Sequence, residues 1–158
     1  MFSRFKFFGW LLFGAILVWG SGADAQTFDA LKWDNRVLVL SADDNSSQAQ
    51  EQITLLEEYF DEIEERELIV LRLNNRVLQK IDELSPFPFQ TKILENREER
   101  RYLESIFPRD GIGEGNLGVT LVGFDGEIKE RWEGVVDPSD IFDAIDSMPM
   151  RQRELRAQ

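Results

Sequence analysis

The sequence contains no cysteine and no histidine. Without thiols there is no disulfide formation, no thiol–disulfide exchange and no thiolate nucleophile. With imidazole missing as well, zinc sites of the Cys/His type and every histidine-dependent triad or dyad are excluded. Basic residues are scarce: 18 Lys and Arg face 30 Asp and Glu, for a formal net charge of −12 over 158 residues. A field of that sign disfavours nucleic acid and anionic membrane surfaces. It leaves open cationic partners, divalent ions, or simply a solvated acidic surface. Proline is sparse too, with five in the chain. Each therefore punctuates: Pro86 and Pro88 mark an extended connector, Pro108 and Pro149 end helices, and Pro138 opens one.

The apolar run at the start is short. Arg4 and Lys6 precede Phe7 to Trp19, which is broken only by Gly9 and Gly14 and falls short of the ~20 residues that span a bilayer. Ser21-Gly22-Ala23-Asp24-Ala25 follows, with Ala23 and Ala25 in a small-x-small cleavage pattern. A basic start, a short apolar stretch and a small-residue exit are the parts of a secretory signal. Residues 1–25 are expected to be a signal peptide cleaved after Ala25, which delivers a periplasmic or secreted protein with no stable membrane insertion. The alternative is an uncleaved anchor. No cysteine follows the run, so acylation to a lipoprotein is excluded. Loss of Arg4, Lys6 and Asp24 makes the mature chain one charge more negative. Residues 26–158 are expected to form one domain, its core at about 28–150, without disulfide support.

Within that domain Arg36 to Ser41 is a continuous apolar strand of the kind buried on both faces. From Gln48 the period lengthens. Ala49, Ile53, Leu56, Phe60 and Ile63 form one helical stripe capped by Ser46 or Ser47, which predicts a helix to about Arg66. Leu68 to Leu73 is a second strand, and strand–helix–strand at this spacing predicts a parallel pair. A short helix is expected within Asn74–Leu84, and another over Asn96–Phe107 with Asn96 and Glu99 as a capping box. Leu117–Phe124 and Glu127–Glu133 predict a hairpin across Asp125-Gly126, with Ile128 and Trp132 on one face. Asp137 caps a last helix whose buried face is Ile141, Phe142 and Ile145, with Val136 and Ile141 as a staple. The expected fold is α/β: a thioredoxin-like three-layer α/β/α sandwich on a mixed four-stranded sheet of order 4-3-1-2.

Two segments narrow this further: Val119-Thr120-Leu121-Val122-Gly123-Phe124-Asp125-Gly126-Glu127-Ile128-Lys129, and Ile141-Phe142-Asp143-Ala144-Ile145-Asp146-Ser147-Met148-Pro149-Met150-Arg151. With Val37 to Ser41, they resemble the thioredoxin-like domain of unknown function found in short exported bacterial proteins. That domain has relatives in animal sushi-repeat-containing extracellular and matrix proteins. The resemblance spans residues 28–155, is most specific over Ile145–Arg151, and implies a peroxiredoxin-related fold with no established activity. Redox-active proteins of this fold place a cysteine where this chain has Ala42-Asp43-Asp44-Asn45-Ser46-Ser47-Gln48. They also place a proline before the third strand, where this chain has Gly115-Asn116-Leu117-Gly118.

Candidate ligand-binding residues are Asp43, Asp44, Asn45, Ser46 and Ser47, whose oxygens suit a small polar ligand or a divalent cation and equally suit turn formation and capping. Arg97 and Arg101, with Arg100 and Arg109, form a basic patch able to meet an anionic group or to pair with Glu95, Glu98, Glu99 and Glu104. Asp110–Asn116 is a glycine-rich loop feeding a strand, which does not fit phosphate binding. Met148 and Met150 alone make a thin soft-metal site. No catalytic residue and no metal ligand set are assigned; no cofactor is expected, and a divalent cation is left open. The function expected is a non-redox binding module for a protein or small ligand. The alternatives are a carboxylate- or metal-dependent enzyme and a structural envelope or matrix component.

Overall fold

The computed structural model describes residues 34–74, 77–87, 92–93, 97, 101, 103, 106–107 and 116–157. The proposed leader, Asn96, Glu99 and the loop at 110–115 lie outside the described residues.

A single six-stranded sheet organises the chain in the order β4-β3-β2-β1-β5-β6. At its centre, β1 (Arg36–Ser41) runs parallel to β2 (Leu68–Leu73), pairing Arg36 with Leu68 through Ser41 with Leu73. Every β1 residue is buried, as a strand covered on both faces requires. On its other side β1 pairs antiparallel with β5 (Gly118–Val122), which continues into β6 (Ile128–Glu133). These four strands have the order and mixed polarity expected of a thioredoxin-like sheet.

Two short strands extend it beyond β2. Residues 74–84 are not helical at the start: Val77–Lys80 form β3, antiparallel to β2, and a single 3-10 turn follows at Asp82–Leu84. The cause is Asn74. Its side-chain oxygen accepts from the Val77 amide at 2.6 Å while its own amide donates to the Val77 carbonyl at 3.0 Å, closing a reversal that returns the chain along β2. Lys92–Ile93 form β4 on the outside.

The long helix expected after β1 is two helices, α1 (Ser47–Glu57) and α2 (Phe60–Glu65). At the break the Tyr59 amide bonds to Leu56, three residues back, and the Tyr59 ring packs on Phe142 at 5.8 Å between centroids. The stripe still works across the interruption, with Ala49, Ile53, Leu56 and Ile63 buried. Helix α3 (Pro138–Asp146) is capped by Asp137, whose carboxylate accepts from the Ser139 amide at 2.9 Å. Val136, Ile141, Phe142 and Ile145 are buried as expected. Beyond Pro149 the charged tail forms a further helix, α4 (Pro149–Ala157).

The sheet separates two apolar cores. Leu38, Leu40, Val70, Val119 and Leu121 meet Leu56, Ile63, Ile141 and Ile145 on one face. Val37, Val39, Ile69, Leu71 and Val122 meet Leu103 and Phe107 on the other. Arg97, Arg101, Leu103 and Ile106 are helical, so helices lie on both faces.

One expectation about the hairpin is corrected. Leu121 pairs with Glu130 but Val122 pairs with Ile128, so Lys129 is an extra residue on β6. A one-residue slip sends following side chains to the opposite face. Trp132 therefore packs in the first core and Ile128 in the second, rather than sharing a face.

Candidate functional site

At the carboxyl end of β1, the expected ligand loop is built from local bonds. The Ser46 hydroxyl accepts from the Ala49 amide at 3.2 Å, capping α1, and the Ser46 amide donates to the Asp43 carbonyl at 3.1 Å. Arg72 Nη2, from the neighbouring strand, donates to the Asp43 and Asp44 carbonyls at 3.2 and 2.7 Å. The Asp44 carboxylate accepts from the Asn74 side chain. Asp43, Asp44, Asn45 and Ser47 are exposed. The gap between this loop and the start of β5 is bridged, because Gln48 Oε1 accepts from the Leu117 amide at 3.0 Å. Arg97 and Arg101 are exposed on helical backbone. Among the described residues, no group of three or more acidic side chains is gathered tightly enough to hold a metal ion.

The opposite end of the sheet carries a constellation that charge patterning did not mark. Arg36, first residue of β1, is 1% exposed. Its Nη2 donates to both Glu154 oxygens at 2.8 and 3.1 Å, and its Nη1 to the Arg66 carbonyl at 2.8 Å. Its guanidinium lies 4.1 Å from the Phe124 ring centroid. Arg151, 2% exposed, bonds Glu65, Asp146 and Glu154. Arg66 grips Asp146 through Nε and Nη2 at 3.2 and 2.7 Å and stacks on Phe142. Three arginines and three carboxylates thus tie β1, the end of α2, the end of α3 and α4 into one closed network. Asp146 and Arg151 come from the Ile145–Arg151 segment. The Met148-Pro149-Met150 between them lines a cavity of about 230 Å³ shared with Arg36, Phe124 and Lys129.

A family model described as "Domain of unknown function (DUF4174)" matches residues 27–154. The chain belongs to this family. No curated protein matches it. Six solved chains do. One of them, titled "Crystal structure of Trgpx in apo form", is 18% identical to the DUF4174 chain, covers 75% of it and 85% of its own length, and has a TM-score of 0.44.

Electrostatics at this end of the DUF4174 domain follow from the pairing. Burial pushes the Asp146 carboxyl up, but the bonds from Arg66 and Arg151 outweigh it and hold the group below its ordinary value. Burial works against the charge on Arg151, yet Glu65, Asp146 and Glu154 together raise its pKa. At the hairpin tip, the bond to Asp125 raises Lys129 against the burial that would lower it. Burial likewise pushes Asp125 up, but Lys129 and the Glu127 amide bring it below its usual value. The bulge at Lys129 aims the side chain back over Gly123, where an added Cβ would lie 2.6 Å from the lysine Cε. A side chain at position 123 would therefore require the end of the lysine to shift. Among the described residues these cations are paired, so the arrangement presents fixed polar groups around an apolar space.

A second, polar cleft of about 460 Å³ lies between α1 and β2–β3, lined by Gln50, Glu57, Arg72, Lys80 and Asp82 among others. Lys80 there is engaged by the Ser85 and Phe87 carbonyls and by Asp82. Among the described residues, no helix is long and apolar enough to cross a membrane.

Proposed function

We propose that this DUF4174 domain is an exported, non-redox binding module that receives its ligand at the end of the sheet where β1 begins. The observation that carries the reading is the 230 Å³ cavity, with apolar Phe124, Met148, Pro149 and Met150 beside the locked polar side chains of Arg36 and Lys129. Ligand sites are mostly apolar concavities with a few fixed polar groups, which describes this cavity better than the charged cleft. Export is supported by the basic, apolar and small-residue pattern of residues 1–25. The resemblance to domains of exported proteins, animal sushi-repeat proteins among them, points the same way. With no thiol in the chain, the module does not act by sulfur chemistry.

Chemical-shift mapping of the labelled protein against a small-molecule extract of its own cell envelope tests this. Saturable shifts around Phe124 and Met148–Met150 that disappear in Met148→Trp support it. Shifts confined to Asp43–Ser47, or a calcium-dependent rise in Tm of several degrees, favour the enzyme or metal reading instead. No saturable shift anywhere favours a structural component.

A further inference from the structure

Arginine 72 is a cation without a counter-ion. The buried and half-buried cations among the described residues are Arg36, Arg66, Arg72, Lys80 and Arg151. All but one sit against a carboxylate: Arg36 on Glu154, Arg66 on Asp146, Lys80 on Asp82 and Arg151 on Glu65. Arg72 has none. Its Nη2 is taken up by the Asp43 and Asp44 carbonyls, and its Nη1 makes no bond. Nε is the one Arg72 nitrogen that is both unbonded and sealed from solvent, so the unbonded Nη1 is within reach of solvent. Withdrawing a charge from water without a partner is costly. In a chain of net charge −12 the exception calls for an explanation.

The surroundings of this arginine are those of a site. Leu68 and Val70, at alternate positions before it on β2, pack in the core that α1 covers, so Arg72 stands on the α1 side of the sheet. It lies directly across from Gln79 of β3, and both line the polar cleft of about 460 Å³. This is the far end of the sheet from the apolar cavity: Arg36 begins β1, whereas Arg72 pairs with Leu40 near its close. The rest of the cleft wall has the opposite sign. Glu57 and Glu83 line it, are exposed, and make no ion pair. Glu57 ends α1, whose last turn holds no basic residue, so the helix dipole adds to its negative charge. Lys80 is already matched by Asp82. A simple anion would gain Arg72 but meet two open carboxylates, and a simple cation would meet the reverse. A molecule that carries both charges satisfies both parts of the wall.

We propose that this cleft is a second binding site, for a small zwitterion of the α-amino acid type. Its carboxylate accepts from Arg72 Nη1, and its ammonium is held by Glu57 and Glu83. The proposal does not depend on the reading of the apolar cavity.

Titrations of the labelled protein, followed through its backbone amide and arginine side-chain NMR signals, test this. L-Glutamine should shift the Arg72 side-chain and Gln79 amide signals saturably, with a Kd on the order of 0.1–1 mM for so small a ligand. L-Glutaminamide, which lacks the α-carboxylate, and N-acetyl-L-glutamine, which lacks the ammonium, should each bind at least ~10-fold more weakly. Arg72→Gln should abolish binding. Because Arg72 also holds the Asp43–Asp44 turn, Glu57→Gln is the second variant: exposed and unpaired in the free protein, it should weaken L-glutamine roughly 3–10-fold and leave the residual affinity for N-acetyl-L-glutamine unchanged. Four results overturn the proposal: no saturable shift with either glycine or L-glutamine at tens of millimolar, equal affinity for either blocked analogue, tighter binding of inorganic phosphate than of L-glutamine, or wild-type affinity in Glu57→Gln.

Discussion

Replacing Glu154 by glutamine puts the buried network to a quantitative test. Among the described residues Glu154 is the only carboxylate bonded to Arg36, whose side chain is 1% exposed, while Glu154 itself is 32% exposed. Breaking a buried pair by removing one partner costs about 3–5 kcal/mol, because a charge is left behind without compensation. Here the loss is smaller. Arg36 keeps the Arg66 carbonyl and the Phe124 ring, and the carboxylate was already partly solvated. We expect Glu154→Gln to cost about 2 kcal/mol, or roughly 6–10 °C in Tm for a domain of this size. In an Arg36→Met background the same change should cost no more than about 0.5 kcal/mol, since Arg151, the other buried cation bonded to Glu154, keeps Glu65 and Asp146. Urea unfolding followed by tryptophan fluorescence gives both numbers. Asp82→Asn serves as the exposed-pair control, expected within about 0.5 kcal/mol of wild type because Asp82 is 84% exposed. Equal costs of Glu154→Gln in the two backgrounds would refute the argument that Arg36 depends on this carboxylate.

Other outcomes follow from single features. Asp146 titrates below its ordinary 3.8 when folded, so its stabilisation is complete above that pH and disappears as pH falls through the lower folded value; Asp146→Asn should flatten acid unfolding in that window, measured by pH-dependent urea midpoints. Gln52 is fully buried and both donates to and accepts from the Val136 backbone, at 3.0 and 2.7 Å, so Gln52→Leu should cost about 2–4 kcal/mol by leaving two backbone groups unpaired. Glu67 has φ 49° just past α2, a position suited to glycine, and Glu67→Gly should stabilise the protein by up to about 1 kcal/mol in the same unfolding assay. Residues 1–25 joined to a periplasm-dependent reporter should give activity outside the cytoplasm, and a reporter retained inside would sink the export proposal.

Much of the fold was legible in the chain because its central elements are locally consistent. Val37–Leu40 and Leu68–Leu71 are apolar without alternation, the mark of strands covered on both faces. Asp137-Pro138 announces α3 through cap chemistry confined to neighbouring residues. The misses share a different character. Val77–Lys80 became a strand because Asn74 folds the chain back onto β2, a tertiary gain that outweighs a weak local helix preference. The Lys129 bulge is a matter of register between strands, which alternation within one strand does not encode. Arg36 and Arg151 passed as ordinary charges since their burial depends on partners far along the chain, Arg36 on a glutamate 118 positions away. A signal for that end of the molecule did exist: the Ile145–Arg151 segment, the most specific stretch of the family resemblance, proves to hold two members of the ion network and three residues of the cavity wall.

Strand β6 changes allegiance at Lys129. Its root, at Trp132, is anchored in one core, while its tip, at Ile128, is anchored in the other. The hairpin therefore behaves as a clamp astride the sheet edge, and the odd residue at its crossover projects toward the cavity without being committed to either core. Chemistry at that spot can be rewritten by exchanging one side chain, with the cores on both sides left as they are.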